Sequence, residues 1–305
     1  MTPLAPLPVG PVRRVVFLGT PDLAVPALVA LVEAGVDVAC VVTRPDARRG
    51  RGSATSPSPV KAAALAMGLR VTHAVDDVLG TDAELGVVVA FGQLIRRTVL
   101  EALPMVNLHL SLLPRWRGAA PVERALLAGD DRTGVCLMQL EEGLDTGPVL
   151  GRVEVPITTV TTAADLRAEL AERGASMLVE QLRNGLAAAH PQSGDATYAA
   201  KMRPEEMVID WFRPTGDLDR LVRVGGASTL FRGRRLRLTA ARPGAPFDGE
   251  APAPGTWREG RVATATSWLD LVEVQPEGKR PMAADDWARG ARPLPGERLG
   301  YGSTP

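Results

Sequence analysis

Hydrophobic and polar positions fall into two regimes along the chain. Up to Leu140, short apolar runs alternate with segments of helical period. RRVVFLG (13–19), VDVACVVT (36–43), LGVVVAFG (85–92) and TGVCLMQL (133–140) lack regular polar alternation, which predicts strands buried on both faces. PDLAVPALVALVEAG (21–35), SPVKAAALAMG (58–68), RRTVLEALP (96–104) and PVERALLAGDD (121–131) put apolar residues one helical turn apart and stop near glycine or proline. AADLRAELAERGASMLVEQLRNG (163–185) predicts a long helix. Strand and helix in alternation predict an α/β domain: a parallel sheet with helices on both faces. HPQSGDATYAAKMRPEE (190–206) is polar and turn-rich, and the pattern changes beyond it. TLFRGRRLRLTAA (229–241) and GTWREGRVATATSWLDLVEVQPEG (255–278) predict short antiparallel strands in a small all-β barrel or sandwich. The expected organisation is a flexible tail over 1–11, the α/β domain over 12–190, a linker over 191–204 and the β domain over 205–305.

The strand VNLHL (106–110) does alternate, and its polar face carries Asn107 and His109 in a chain with 3 histidines. Strand rise puts their Cα atoms roughly 6.5–7 Å apart. In a parallel sheet, ligands bind beyond the carboxyl ends of the strands, and this pair sits at such an end, just before the turn SLLP (111–114). Neither residue is a nucleophile. An amide donor beside an imidazole suits stabilisation of a developing oxyanion and movement of a proton. EEGLDTGPVL (141–150) adds Asp145 in a turn between two glycines. That aspartate is either an Asx-turn former or, if the turn meets the His109 strand, a carboxylate that sets the imidazole's tautomer.

Other motifs narrow the chemistry. FLGTPD (17–22) sits where a phosphate-binding turn would, but it has a single glycine, and Val42-Thr43-Arg44 offers no acidic residue at the second strand's end. A nicotinamide dinucleotide site is therefore not expected. G-x-S-x-G is absent, and no His/Cys/carboxylate cluster has metal-ligand spacing, so no metal is expected. His73 and His190 read as incidental, and Cys40 and Cys136 as buried thiols.

The chain has 305 residues with 35 acidic and 35 basic side chains, so no global field draws it to nucleic acid or membrane. Two local regions are basic. TRPDARRGRGSATSPSPVK (43–61) carries Arg44, Arg48, Arg49, Arg51 and Lys61 against Asp46. The stretch from Arg220 to Arg242 holds seven arginines and no acidic residue. Together they point to a polyanionic partner. With no apolar run of membrane-spanning length and no signal-peptide pattern in MTPLAPLPVG, the expectation is a cytoplasmic protein that does not enter the membrane.

NLHLSLLPRWRGAAP followed downstream by GLDTG resembles the folate-dependent formyltransferases. FLGTPD, the RPD…RGRG…PSPVK loop, VVAFGQLI, TYAAKM, IDW and PEGKRPM extend the likeness over most of the chain, and resemble the members whose acceptor is methionine charged on initiator tRNA. The resemblance implies a Rossmann-like formyltransferase domain followed by an OB-like barrel. It implies Asn107, His109 and Asp145 as catalytic residues and 10-formyltetrahydrofolate as co-substrate, without a metal. Ser111, Leu112, Leu113 and Pro114, with Gly92, Leu94 and Ile95, match the folate-binding segments. Arg44, Arg48, Arg49, Arg51, Arg234 and Arg235 would contact the tRNA acceptor, and the protein would act as a monomer. Ala47 stands where many members carry an arginine, leaving Arg48 or Arg49 to replace it. Two alternatives stay open: a formyltransferase acting on an amino-sugar nucleotide or purine-pathway amine, and a folate-binding protein or formyl-folate hydrolase without a tRNA acceptor.

Overall fold

The apolar runs become neighbours in one seven-stranded sheet, seen in a computed structural model that describes residues 3–48 and 55–300. Across the sheet the order is Val149–Pro156, Arg132–Gln139, Met105–His109, Leu85–Val89, Arg14–Gly19, Asp37–Val42 and Val71–Thr72. From Met105–His109 to Val71–Thr72 every pairing is parallel. The expectation of a parallel sheet fails at the other edge. There Arg132–Gln139 runs antiparallel to Met105–His109, and Val149–Pro156 antiparallel to it in turn. Hydrophobic periodicity cannot signal this, because a fully buried strand looks the same read in either direction. The register pairs His109 with Cys136 and Val106 with Gln139, so Arg132–Gln139 starts beside the carboxyl end of its neighbour.

The helix Ala163–Asn184 covers one face of this sheet. A Cβ on Gly174 would stand 3.0 Å from Val135 and 3.5 Å from Leu108, so only a glycine lets the helix axis come so near. Leu108 therefore faces the helix. Side chains alternate along a strand, so Asn107 and His109 lie on the opposite face with Met105. That opposite face is floored by a cluster of Leu113, Cys136, Met138 and Val149, and farther across by Val16, Leu18, Val88 and Met105.

The chain folds as two compact units: Met1–Val122, Arg132–Pro156 and Leu166–Ala200 form the first, and Glu123–Asp131, Ile157–Asp165 and Lys201–Pro305 the second. The second unit is built on an antiparallel sheet in the order Ser228–Phe231, Arg234–Pro243, Trp268–Pro276, Arg261–Ala263, Trp257–Arg258, with Met282–Ala283 also on Trp268–Pro276. Two helices, Thr215–Val224 and Ala284–Ala291, accompany it and were not expected from the pattern. Both are short, 10 and 8 residues, although their apolar positions do gather on one helical face. They bury Leu218, Leu221 and Val222, and Trp287, in the same core as Trp211, Leu238, Val262 and Leu269. Trp287 meets Phe231 and Trp257 edge to face, with ring centroids 5.1 and 5.5 Å away.

Within this unit Arg124 grips Glu206 through two hydrogen bonds of 2.6 and 3.2 Å, while Glu206 also accepts from the Arg203 backbone N–H at 3.0 Å. The Arg124 guanidinium, helped by that N–H, pulls the Glu206 carboxyl down from its ordinary 4.5 to about 2. A depressed carboxyl stabilises the fold above its unfolded value and ceases to do so as pH falls through its folded value. In thermal melts, Glu206→Gln is thus expected to lower the midpoint near neutral pH. The gap from the parent protein should narrow as pH drops from about 4.5 towards about 2.

Candidate active site

Of the two ring nitrogens of His109, one is fully committed. Nε2 lies 2.8 Å from the Trp116 carbonyl oxygen, and a carbonyl only accepts, so the Nε2 proton is donated there. Nδ1 is left facing Asp145 Oδ2 at 3.6 Å, with His109 only 6% exposed. Asn107, on the same strand face, is 9% exposed, and its carboxamide makes no hydrogen bond among the described residues. Its donors are not among the buried unpartnered groups, so they stay open to solvent and to a ligand.

The Trp116 carbonyl is aimed by the turn that follows the strand. Ser111 Oγ donates to the Arg115 carbonyl at 2.6 Å, and the Trp116 N–H donates to Thr197 Oγ1 at 2.9 Å. Trp116 has a positive φ of 61°, and the Arg115 guanidinium lies 4.5 Å from its ring centroid. The Ser111 hydroxyl is thus spent inside the loop, and Leu113 is buried on Cys136 and Met138. Leu112 and Pro114 are the two side chains of SLLP that keep exposed surface.

The loop after Leu85–Val89 begins next to this site, since Val89 pairs with Leu108. Ala90 and Gly92 have φ values of 45° and 69°, and Leu94 is 84% exposed. Ile95, by contrast, is buried with Val99 and Leu100. The FLGTPD turn is tied to the loop by Thr20 Oγ1, which donates to the Phe91 carbonyl at 3.1 Å.

Asp145 arrives from an unexpected direction. Because Arg132–Gln139 runs antiparallel, its last residues lie beside the start of Met105–His109, where the Leu140 N–H donates to the Met105 carbonyl at 2.8 Å. The register offset to His109 is three residues, about 10 Å of strand. The 141–148 turn folds back over that distance. Asp145 takes a left-handed φ of 51°, and a Cβ on Gly147 would lie 1.9 Å from the Gln139 carbonyl oxygen. Asp145 Oδ2 accepts from the Gly118 N–H at 2.8 Å. The carbonyls of Asp145 and Gly147 both accept from Gln192 Nε2, each at 2.8 Å. Gln192 Oε1 in turn accepts from Arg117 Nε at 3.0 Å and from its terminal nitrogen at 2.7 Å.

Trp116, Arg117, Gln192 and Thr197 are therefore part of the site, and sequence reasoning did not place them there. The last two fall in the stretch expected to be a linker. In the fold that stretch is anchored, with Tyr198–Ala199 pairing in parallel with Arg117–Gly118. A glutamine in a polar, turn-rich segment carries no local signal of such a role.

The basic regions fare unevenly. Arg44 and Arg48 are exposed, and Ala47–Arg48 pairs antiparallel with Thr55–Ser56, whereas Arg49 and Arg51 lie outside the described residues. Four of the seven arginines between Arg220 and Arg242 meet acids that lie outside that stretch: Arg220 meets Asp217, Arg223 meets Asp219 at 2.9 Å, Arg232 meets Glu297 at 2.7 Å and Arg242 meets Asp270 at 3.5 Å. Arg234 and Arg235 are exposed and, with Arg232 and Lys279, line a cavity of about 470 Å³ floored by Phe231 and Trp287. His73 Nδ1 donates to the Thr43 carbonyl at 2.9 Å, and His190 bridges Val149 through its backbone. Burial pushes the Cys40 and Cys136 thiols up.

Comparison with known proteins gives a consistent family. The formyl transferase model matches residues 13–182, and the model of the formyl transferase C-terminal domain matches 201–292. The methionyl-tRNA formyltransferase of Roseobacter denitrificans is 44% identical over 296 residues, 91% of this chain and 96% of that one. The methionyl-tRNA formyltransferase of Halorhodospira halophila is 45% identical over 304 residues, 93% and 98% of the two chains. Among solved structures, the N-formyltransferase of Helicobacter canadensis in complex with folinic acid and dTDP-3-aminofucose shares the fold. Its TM-score is 0.65 at 14% identity, covering 85% of this chain and 99% of that one.

Two glycine substitutions separate steric from conformational demand in this site. Gly147→Ala drives a methyl into a backbone carbonyl and is expected to cost roughly 1–3 kcal/mol in urea unfolding. Gly92→Ala has open space and only its positive φ to oppose it, so its cost should be about 1–2 kcal/mol, that of the left-handed backbone alone.

Proposed function

The chain belongs to the formyl transferase family, and from that premise we propose that it moves the formyl group of 10-formyltetrahydrofolate to the α-amine of methionyl-initiator tRNA, for translation initiation. The observation that carries this reading is the meeting of the unspent Asn107 amide, the His109 imidazole and the Asp145 carboxylate on one sheet face. The amino-sugar and folate-hydrolase alternatives are not favoured, because relatives 44% and 45% identical over nearly the whole chain are methionyl-tRNA formyltransferases.

The residues present suit a reduced folate. Its pterin would lie between the Gly92–Ile95 loop and the Ser111–Pro114 turn, against Leu94 and Leu112, with Ser111, Leu113 and Ile95 supporting these walls from behind. The folate supplies a formyl carbon activated on nitrogen. As the amine adds to that carbon, negative charge grows on the formyl oxygen, and the Asn107 amide donates to it. His109 has Nδ1 alone to work with: its lone pair would take up a proton shared with Asp145, and only the N–H so formed would polarise the formyl oxygen. Asp145 would accept the proton released by the amine, through the imidazole or a bridging water, and that proton would go to the folate nitrogen as its bond to the formyl carbon breaks and tetrahydrofolate leaves. No covalent bond to the protein is required.

In this reading formyl transfer belongs to residues 12–190 and tRNA binding to 205–305 together with the 43–61 loop, joined through 191–204. Arg44, Arg48, Arg49 and Arg51, together with Arg234 and Arg235, would hold the acceptor end through its phosphates. The protein would work in the cytoplasm, where charged initiator tRNA is used, as a monomer. No helix among the described residues is long and apolar enough to cross a membrane.

Incubation with 10-formyltetrahydrofolate and charged initiator tRNA should yield formylmethionine, and charged elongator tRNA should yield far less. Release of free formate without formylmethionine would refute the reading. Asn107→Ala should lower kcat by on the order of 10²–10³ with folate affinity nearly unchanged. Charge reversal at Arg48, Arg49 and Arg51 should raise the KM for charged tRNA, leave kcat nearly intact and flatten the salt dependence of binding.

A further inference from the structure

We propose that Gln192 is a positioning residue of the formyl-transfer site: it holds the Asp145 turn in its folded-back, left-handed form so that the carboxylate stays opposite His109 Nδ1. The proposal rests on the role just given to Asp145.

Every hydrogen-bonding position of the Gln192 amide is taken. A primary amide has two N–H donors and a carbonyl with two acceptor positions, and Gln192 uses all four. Its donors go to the carbonyls of Asp145 and Gly147, and its acceptor takes both Arg117 hydrogens. A guanidinium can only donate, so Oε1 must face Arg117 and Nε2 must face the turn; the amide has no second orientation that satisfies both sides. The two carbonyls it gathers flank Thr146 and belong to the residues that make the reversal, Asp145 at φ 51° and Gly147 against Gln139. The neighbour of Arg117 completes the arrangement, since the Gly118 N–H donates directly to Asp145 Oδ2. The pair Arg117–Gly118 thus fixes the carboxylate directly and, through Gln192, fixes the backbone that carries it. All of these residues belong to the first compact unit.

The side chain length is specific. Asparagine would fall short by one methylene, methionine has the length but no donor, and glutamate would keep the Arg117 contact while setting a negative oxygen against two carbonyls. None of the three can hold both carbonyls.

The test is a double-mutant cycle read in single-turnover formylation of charged initiator tRNA. Gln192→Met and Gln192→Glu are each expected to lower the rate by about tenfold, while KM for either substrate moves less than about twofold. Adding Gln192→Met to Asp145→Asn should cost nothing beyond Asp145→Asn alone, because the group being positioned has already lost its function. An additive loss in the double variant would overturn the proposal by showing that Gln192 acts elsewhere, and so would an unimpaired Gln192→Met. If Gln192→Met melts early, Gln192→Glu, which keeps its arginine partner, replaces it in the same cycle. An unimpaired Asp145→Asn would instead overturn the role given to Asp145, a failure distinct from an active Gln192→Met beside an impaired Asp145→Asn.

Discussion

A buried imidazole that gives its Nε2 proton to a carbonyl has one nitrogen left for chemistry, and the surroundings of His109 are organised about that nitrogen. The Trp116 carbonyl sets the tautomer at 2.8 Å, and Asp145 stands 3.6 Å from the remaining nitrogen. For both to be true, two loops have to be held still: the one that follows the strand and the one that returns to it. The first is secured by Ser111 and Thr197, the second by Gly118 and Gln192. Almost every polar side chain near His109 is spent on backbone. Asn107 is the exception: its carboxamide has no partner among the described residues.

Strain and hydrogen bonding offset each other in the Asp145 turn. A non-glycine residue in the left-handed region costs roughly 1–3 kcal/mol. Against it stand an N–H bond to the carboxylate, of about 1.5–3 kcal/mol because the acceptor is charged, and two bonds from Gln192 of about 1 kcal/mol each. The hydrogen bonds win, but only as a set, so the carboxylate's position depends on residues far away in the chain.

Charge follows a similar pattern in the second unit. The arginine-rich stretch reads as a free basic run, yet Asp217, Asp219, Asp270 and Glu297 claim four of its members. Exposed pairs of this kind add little stability. They leave Arg234, Arg235 and Arg237 outside these pairs, the first two beside Lys279 at a cavity that Glu277 and Asp286 also line.

The parts written in local pattern were legible from the chain alone. Uninterrupted β-branched runs mark buried strands whatever their neighbours, and the i, i+2 spacing puts Asn107 and His109 on one face by strand geometry. The GLDTG glycines announced a tight turn. Strand direction was not legible at Arg132–Gln139, because burial pattern carries no polarity; the helices Thr215–Val224 and Ala284–Ala291 do carry a one-sided apolar pattern, but over only 10 and 8 residues. Only the folded chain decided that the Asp145 turn comes from the far end of the strand, that Trp116 sets the His109 tautomer, and that Gln192, in a stretch that reads as linker, closes the site. Each of these is a contact between residues distant in sequence, and the free energy that selects it exists only once the intervening sheet has formed.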